Sequence, residues 1–199
     1  MNHCKLGVLI SGGGSNLQAI IDSCRSGALQ GKAEVAAVVS NKEDAFGLQR
    51  ASKAGIPAIF LNPKQFPNRS EYFTAVIAEF KKRGVALVCL AGFLLKIEPN
   101  LIREYPKRIL NIHPALLPKY GGKGMYGHFV HEAVVKAGEA ESGCSVHIVD
   151  EEFDHGPVLA QKKVSVLPGD TPETLAARIL KEEHVLFPET IAQYLGQLK

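Results

Sequence analysis

Short apolar runs alternate with helical segments up to about residue 112, and this alternation constrains the fold more than any other feature of the sequence. The run at residues 85–91 is apolar throughout, which is typical of a central parallel strand covered on both faces. Strands that alternate with helices form a parallel sheet with right-handed crossovers. The other strands predicted in this part are residues 5–10, 33–39, 58–61 and 109–112, and helices are predicted around Leu17, residues 45–54, residues 73–80 and Pro99.

The pattern changes after about residue 113. Residues 114–127 are rich in proline and glycine and are predicted to form a loop, and residues 129–137 a helix. Residues 145–149 and 158–166 alternate between apolar and polar side chains, which favours antiparallel strands added to the sheet. A last helix is predicted to begin at Pro172, with Thr171 as its N-cap. The predicted fold class is α/β, with a mostly parallel central sheet and antiparallel strands towards the C-terminus.

The composition argues against several classes of protein. Of the 199 residues, 46% are hydrophobic and 22% are charged, which is close to average globular usage and argues against disorder or a fibrous repeat. The net charge of +3 is too small to indicate a nucleic-acid or membrane partner, and no apolar run approaches the length of a membrane span. Four cysteines without a CxxC pair and an N-terminus without a signal-peptide pattern favour a reduced, cytoplasmic protein.

A glycine-rich turn joins the first predicted strand to the first predicted helix. Ser11 is followed by three glycines, ending at Gly14, and then by Ser15 and Asn16. Glycines let backbone N–H groups approach a ligand closely, and a helix N-terminus offers unpaired donors with a partial positive charge. The turn matches neither the P-loop nor the full GxGxxG fingerprint, because Leu17 stands where the last glycine would be. We favour a phosphate site over a purely structural turn, with the side chains of Ser11, Ser15 and Asn16 as added donors.

Asn111 and His113 lie two residues apart at the end of the predicted strand 109–112. Side chains alternate along a strand, so both are expected on one face, at the carboxyl end where open α/β sheets bind ligands. An amide can donate a hydrogen bond to a developing oxyanion while an imidazole moves a proton. The local sequence leaves a second interpretation open, in which His113 only caps the strand.

An acidic loop at residues 150–157 contains Asp154, followed two residues later by Gly156 and Pro157. Such loops are usually just solvated, but this turn gives one carboxylate a rigid position. A carboxylate beside a histidine raises the pKa of the ring and orients it. The spacing does not show whether Asp154 reaches His113.

Other polar side chains carry weaker signals. His128 and His131 are three residues apart on a predicted helix, and two surface histidines are expected because nothing completes a metal-ligand set. His147 is expected to be a hydrogen-bonded core residue. Arg69 either binds an anion or is solvated at a helix start, and Glu183 is expected on the polar face of the last helix. No GxSxG elbow is present, and nothing indicates a covalent nucleophile.

Five short motifs occur in order along essentially the whole chain. They are SGGGSNL at 11–17, LAGF at 90–93, NIHPALLP at 111–118, GCSVH at 143–147 and DHGP at 154–157. Together they resemble the phosphoribosylglycinamide formyltransferases, which belong to the folate-dependent formyltransferase superfamily. The resemblance implies a Rossmann-like three-layer fold in one domain, residues 1–199, with a nucleotide-binding half at about 1–113 and a folate and catalytic-loop half at about 114–199.

The resemblance also implies a reaction of purine (IMP) biosynthesis. The formyl group of the co-substrate 10-formyltetrahydrofolate would pass to the amine of 5-phosphoribosylglycinamide, giving N-formylglycinamide ribonucleotide and tetrahydrofolate. No metal is expected. By position, Asn111 would hold the oxyanion, His113 would transfer protons, and Asp154 would raise the pKa of His113 and hold the ring.

Binding roles are implied in the same way. The ribonucleotide would bind to Gly14, Ser15, Asn16 and Glu183. The folate would bind to Arg69, Leu94, Leu95, Lys96, Ile97 and Asn111. Leu95 stands where many relatives have a basic residue, and the loop at 120–128 is longer than in the best-known members, so no binding role is carried over to residues 119–131.

Several alternatives stay open. A methionyl-tRNA formyltransferase would add a C-terminal domain and a basic surface, and a formyltetrahydrofolate hydrolase would add an N-terminal regulatory domain; neither is expected of this chain. A non-catalytic nucleotide-binding module would use the glycine-rich turn alone. The expected partners are small-molecule substrates, with no nucleic acid and no membrane, and the expected state is a monomer or homodimer.

Overall fold

A seven-stranded sheet forms the centre of the computed structural model, which describes residues 3–198. The strands are β1 (Cys4–Ile10), β2 (Ala33–Ser40), β3 (Ala58–Phe60), β4 (Leu87–Leu90), β5 (Ile109–His113), β6 (Glu141–Ile148) and β7 (Val158–Ser165). The helices are α1 (Ser15–Ser26), α2 (Phe46–Lys53), α3 (Arg69–Lys82), α4 (Pro99–Glu104), α5 (His128–Lys136) and α6 (Pro172–Leu195), with a short 3₁₀ helix at Pro63–Gln65.

The strand order is β3-β2-β1-β4-β5-β6-β7. Strands β1 to β5 pair in parallel, whereas β6 pairs antiparallel with both β5 and β7. The predicted α/β fold with antiparallel strands towards the C-terminus is therefore confirmed. The order reverses between β1 and β4, so the loops after these two strands diverge and leave a crevice at the carboxyl edge of the sheet.

Helices cover both faces of the sheet, and each face has its own apolar core. On one face, Leu17 of α1, Val134 of α5 and Phe187 of α6 pack with Val8 of β1. On the other face, α3 and α4 pack against the sheet with Phe73, Phe80, Leu101 and their neighbours. Because both faces are covered, the central strands are apolar almost throughout, as the sequence predicts.

Gly7 of β1 has a packing role on the second face. A Cβ at this position would lie 2.8 Å from the Phe80 ring and 2.9 Å from Val85. The missing side chain therefore lets α3 approach the sheet closely. No helix among residues 3–198 is both long enough and apolar enough to cross a membrane.

Strand β6 begins four residues earlier than predicted, at Glu141 instead of residue 145. Its first half contains Ser142 and Gly143, which weaken the apolar pattern, yet both are buried because this part of β6 pairs with β7 and the strand packs against α6. The last helix begins as predicted, with the Thr171 side chain accepting a hydrogen bond from the Thr174 N–H.

Candidate active site

Strand β5 carries Asn111 and His113 to the carboxyl edge of the sheet, where both line one cavity. His113 is buried, with 3% of its surface exposed, and Asn111 is partly buried. The two side chains therefore lie beside the same cavity at the carboxyl end of the strand. Pro114, directly after His113, also lines this cavity.

Asp154 reaches both of these side chains, which the sequence left open. Its Oδ1 lies 3.6 Å from His113 Nδ1 and 3.4 Å from Asn111 Nδ2. Its Oδ2 accepts a hydrogen bond of 3.0 Å from the Gly122 N–H. Asp154 has a φ of 53°, in the left-handed region, so the turn before Gly156 aims this carboxylate back at β5. The three predicted catalytic residues therefore converge.

His147 belongs to the same cluster, although the sequence analysis did not identify it as a site residue. It stands opposite Asn111 in the β5–β6 register, and Asn111 Nδ2 donates to its Nε2 at 3.0 Å. The same Nε2 lies 3.5 Å from Asp154 Oδ1. His147 is buried and hydrogen-bonded, as predicted for a core residue. Only the antiparallel register places it beside Asn111, and no local sequence pattern carries that information.

The charges of the cluster are set by burial and by mutual contacts. Burial opposes ionisation of Asp154, but the nearby rings of His147 and His113 and the hydrogen bond from the Gly122 N–H together lower its pKa below the usual value. Burial lowers the pKa of His113, and this effect outweighs the opposing influence of Asp154 and of the Tyr120 carbonyl. Asp154 thus raises the pKa of His113, as expected, but desolvation dominates and the net shift is downward.

The cavity has a volume of about 390 Å³ and combines apolar walls with the polar cluster at its base. One wall follows β4 and contains Leu94, Leu95, Lys96 and Ile97, the segment expected to meet the folate. Residues 122–127, to which no role was assigned from the sequence, and Phe153 of the acidic loop also line the cavity, and Lys96 Nζ lies 5.6 Å from the centre of the Phe153 ring. Within residues 3–198, no group of three or more His, Cys, Asp or Glu side chains is arranged to hold a metal ion.

Ser145 of β6 forms hydrogen bonds with the residues that follow β5. Its hydroxyl donates to the Ala115 carbonyl at 2.6 Å and accepts from the Leu117 N–H at 3.0 Å. Gln161 of β7 donates to the same hydroxyl at 2.8 Å. These buried contacts fix the turn that follows His113.

The glycine-rich turn lies beside this cavity but does not line it. Gly14 is the N-cap of α1 with a φ of 69°, and no side chain of the described residues caps the helix. A Cβ on Gly14 would lie 2.6 Å from the Cα of Gly47, so two backbones approach closely here. The first N–H groups of α1 are left for a ligand, which fits the predicted phosphate site.

The three polar side chains of the glycine-rich turn differ in their hydrogen bonds and in their exposure. Ser11 donates to Asn41 Oδ1 at 2.6 Å and accepts from the Leu94 N–H at 2.9 Å, so its hydroxyl is engaged within the protein and the prediction of a free donor there is wrong. Asn16 donates to Glu183 Oε2 at 2.7 Å. Ser15 is partly exposed at the start of α1. Ser11 thus ties the turn to the wall of the cavity.

Glu183 is buried instead of lying on a polar face, which corrects the default expectation for the last helix. Burial raises its pKa to about 7, although the hydrogen bond from Asn16 opposes this shift. His131 is also buried and not on the surface, because it lies on the buried face of α5 together with Val130 and Val134. His128 is exposed as expected, and Arg69 is exposed at the start of α3 and does not line the cavity.

Comparison of the sequence with known proteins identifies the family that the chain resembles. Residues 4–191 match the formyl transferase family model. The chain is 46% identical over 188 residues to the chloroplastic phosphoribosylglycinamide formyltransferase of Arabidopsis thaliana, covering 94% of this chain and 64% of that protein. It is 44% identical over 193 residues to phosphoribosylglycinamide formyltransferase of Escherichia coli strain K12, covering 96% of this chain and 88% of that protein.

A solved structure agrees with the sequence matches. The crystal structure of glycinamide ribonucleotide transformylase 1 from Symbiobacterium toebii superposes with a TM-score of 0.92 at 41% identity, over 98% of this chain and 89% of that chain. The chain thus spans a little under two thirds of the plant relative and most of the two bacterial ones. It belongs to the formyl transferase family.

Proposed function

We propose that this chain transfers the formyl group of 10-formyltetrahydrofolate to the primary amine of 5-phosphoribosylglycinamide, a step of purine biosynthesis. The observation that carries the proposal is the convergence of Asn111, His113 and Asp154 on one cavity at the carboxyl edge of the sheet. Relatives named for this activity support the choice of substrate.

The reaction forms one C–N bond and breaks another. The amine nitrogen of the ribonucleotide attacks the formyl carbon, and the carbonyl becomes an oxyanion. The amine then loses a proton, the bond from the formyl carbon to N10 of the folate breaks, and N10 takes up a proton. The products are N-formylglycinamide ribonucleotide and tetrahydrofolate, so one proton moves between two nitrogens and no electrons are exchanged with a third molecule.

Each member of the cluster fits one part of this chemistry. Asn111 Nδ2 would stabilise the oxyanion by turning from Asp154 Oδ1, its longer contact at 3.4 Å, towards the substrate. His113 would accept the proton of the amine and return it to N10, and a lowered pKa keeps its ring neutral and able to accept. Asp154, with its lowered pKa, stays ionised and would stabilise the imidazolium that forms.

The two substrates would enter from two sides of the cluster. The phosphate of the ribonucleotide would bind at Gly14, Ser15 and Asn16, since the uncapped start of α1 favours an anion, and Glu183, hydrogen-bonded to Asn16, would contact the ribonucleotide. The folate would occupy the cavity lined by Leu94–Ile97 and Phe153, where apolar walls suit a flat ring system. Arg69 would reach only a part of the folate that extends beyond this cavity.

An assay with both substrates tests the proposal. Purified protein is mixed with 10-formyltetrahydrofolate, with and without the ribonucleotide, and the folate absorbance is followed. A change that requires the ribonucleotide supports formyl transfer. A change without it would instead support a formyltetrahydrofolate hydrolase, and no change under either condition would support a binding module that lacks catalysis.

The proposal also includes the cellular location and the oligomeric state of the protein. Four free cysteines and a pathway that works on soluble intermediates support a cytoplasmic protein. A monomer or homodimer acting on small molecules, without nucleic acid, fits a net charge of only +3.

A further inference from the structure

One short segment contacts both members of the His113–Asp154 pair. The Tyr120 carbonyl oxygen lies 2.8 Å from His113 Nε2, and the Gly122 N–H donates to Asp154 Oδ2 at 3.0 Å. The direct contact between His113 Nδ1 and Asp154 Oδ1 is longer, at 3.6 Å. The relative position of the ring and the carboxylate therefore depends on the segment 119–122 as well as on β5 and the acidic loop.

The contact with Tyr120 decides which ring nitrogen of His113 carries the proton. A carbonyl oxygen can only accept, so Nε2 is the protonated nitrogen in the neutral ring. The lone pair then lies on Nδ1, the nitrogen that faces Asp154. The other titratable groups close to His113 are His147 of β6 and His131 of α5, and neither of them competes for Nε2.

Tyr120 is held in place by a residue that lies outside the segment 119–122. Its φ of 55° lies in the left-handed region, which is strained for a non-glycine residue and needs support from its surroundings. That support comes from Glu139, three residues after the end of α5. Glu139 Oε1 accepts from the Tyr120 hydroxyl at 3.0 Å and from Lys119 Nζ at 3.1 Å. The Glu139 carboxylate thus anchors two consecutive side chains of the segment.

We propose that Glu139 is a positioning residue of the formyl transfer, and that it acts through Tyr120, whose carbonyl keeps a proton on His113 Nε2 and leaves Nδ1 as the atom that accepts the proton of the amine. The inference rests on the function proposed above. Glu139 itself does not line the cavity and would touch neither substrate.

Two variants remove this anchor without touching the catalytic groups. Glu139→Ala removes the acceptor, and Tyr120→Phe removes only the hydroxyl while keeping the backbone carbonyl. The matched control is Glu141→Ala, which removes a comparable exposed ion pair, Glu141 Oε2 to Lys163 Nζ at 2.9 Å, two residues along the chain. Thermal unfolding of all three variants shows whether each one folds.

The primary readout is the protonation of His113 in the free protein. Long-range ¹H–¹⁵N spectra of protein with labelled histidines report the tautomer and the pKa, and His113→Gln identifies the signal among the seven histidines. The wild type and Glu141→Ala should show neutral His113 with the proton on Nε2. Glu139→Ala and Tyr120→Phe should show a larger share of the Nδ1–H tautomer and a lower pKa, because the carbonyl contact that raises the pKa is loosened.

The second readout is kinetic. In both anchor variants kcat should fall roughly tenfold, a fraction of the 10²–10⁴ that general acid–base catalysis contributes, while KM for each substrate should change about twofold or less. A wild-type tautomer and kcat in both anchor variants would overturn the inference. Absence of formyl transfer by the wild type would overturn the proposed function instead, and the tautomer measurement, which needs no substrate, would still decide whether Glu139 sets the proton on His113.

Discussion

Asp154 receives contacts from three parts of the chain, namely β5, β6 and the loop after β5. Asp154→Asn keeps the size of the side chain but removes the charge that would stabilise a protonated His113. We expect kcat to fall about 10²–10⁴-fold, the range typical of a lost proton-transfer partner, with the midpoint of thermal unfolding nearly unchanged. Steady-state kinetics and thermal unfolding of the same preparation measure both quantities.

Glu151→Gln is the matched control for this prediction. Glu151 is an exposed carboxylate of the same loop that does not line the cavity, so its substitution should leave kcat within about twofold of the wild type. If Asp154→Asn kept comparable turnover, the assignment of Asp154 to the catalytic cluster would be wrong.

Gly14 and Gly31 form a second comparison between single residues. Their φ values are 69° and 71°, so alanine is strained at both positions. Only at Gly14 would the added Cβ meet another backbone, at 2.6 Å from the Gly47 Cα, whereas no atom lies within 4 Å at Gly31. Gly14→Ala should therefore lose more stability in urea and raise KM for the ribonucleotide at least about tenfold, because the phosphate turn must move. Gly31→Ala should lower the free energy of unfolding by about 1 kcal/mol and leave KM for the ribonucleotide unchanged. Equal values of this KM in the two variants would contradict a phosphate site at Gly14.

At the scale of elements, a buried polar pair joins α1 to α6. Glu183 of α6 is 6% exposed and accepts from Asn16 of α1, and burial raises its pKa from 4.5 to about 7. Between these two pH values the folded chain holds the proton of Glu183 and the unfolded chain releases it. The free energy of unfolding therefore falls as pH rises through this window and levels off above about pH 7.

Glu183→Gln removes this titration while keeping an oxygen that accepts from Asn16. At about 1.4 kcal/mol per pH unit, the variant should gain about 3 kcal/mol relative to the wild type between pH 4.5 and 8. Urea unfolding of both proteins across this range measures the difference. Glu189→Gln, at an exposed position of the same helix, should show no such gain, and an equal pH dependence in all three proteins would argue against a buried, protonated Glu183.

At the scale of the whole molecule, more of the fold than of the site can be predicted from the sequence. Apolar runs such as residues 85–91 predict the central strands because both faces of the sheet are covered. The start of β6 is missed because Ser142 and Gly143 are buried by pairing with β7 and by packing against α6, which a local pattern does not reveal. Local periodicity describes a segment, whereas burial depends on what packs against it.

The site follows the same rule. Asn111 and His113 are predictable together because two residues of one strand share a face. Their contact with Asp154 and the presence of His147 depend on strand pairing and on a left-handed turn, so only the three-dimensional structure gives them. The burial of His131 and Glu183 is likewise set by tertiary packing of α5 and α6.

The division into halves at about residues 1–113 and 114–199 stays a prediction, and unfolding can test whether the halves are energetically separate. The sheet runs without interruption from β3 to β7, and α6 of the second half packs on α1 of the first. The core on that face draws buried residues from both halves, among them Leu17 and Phe187. Neither half would keep its apolar surface covered after losing the other, so we expect a single cooperative transition.

Two matched core substitutions make this expectation measurable. Phe80→Leu lies in the first half and Phe187→Leu in the second, and both phenylalanines are fully buried, so each change should cost about 1–3 kcal/mol. The chain has five tyrosines and no tryptophan, so urea unfolding is followed by far-UV circular dichroism and by tyrosine fluorescence. In one cooperative unit, each substitution lowers the midpoint of the whole transition with both probes, since all contacts are lost together. A transition that splits in Phe187→Leu, with one part at the wild-type midpoint, would show instead that the first half keeps its structure alone.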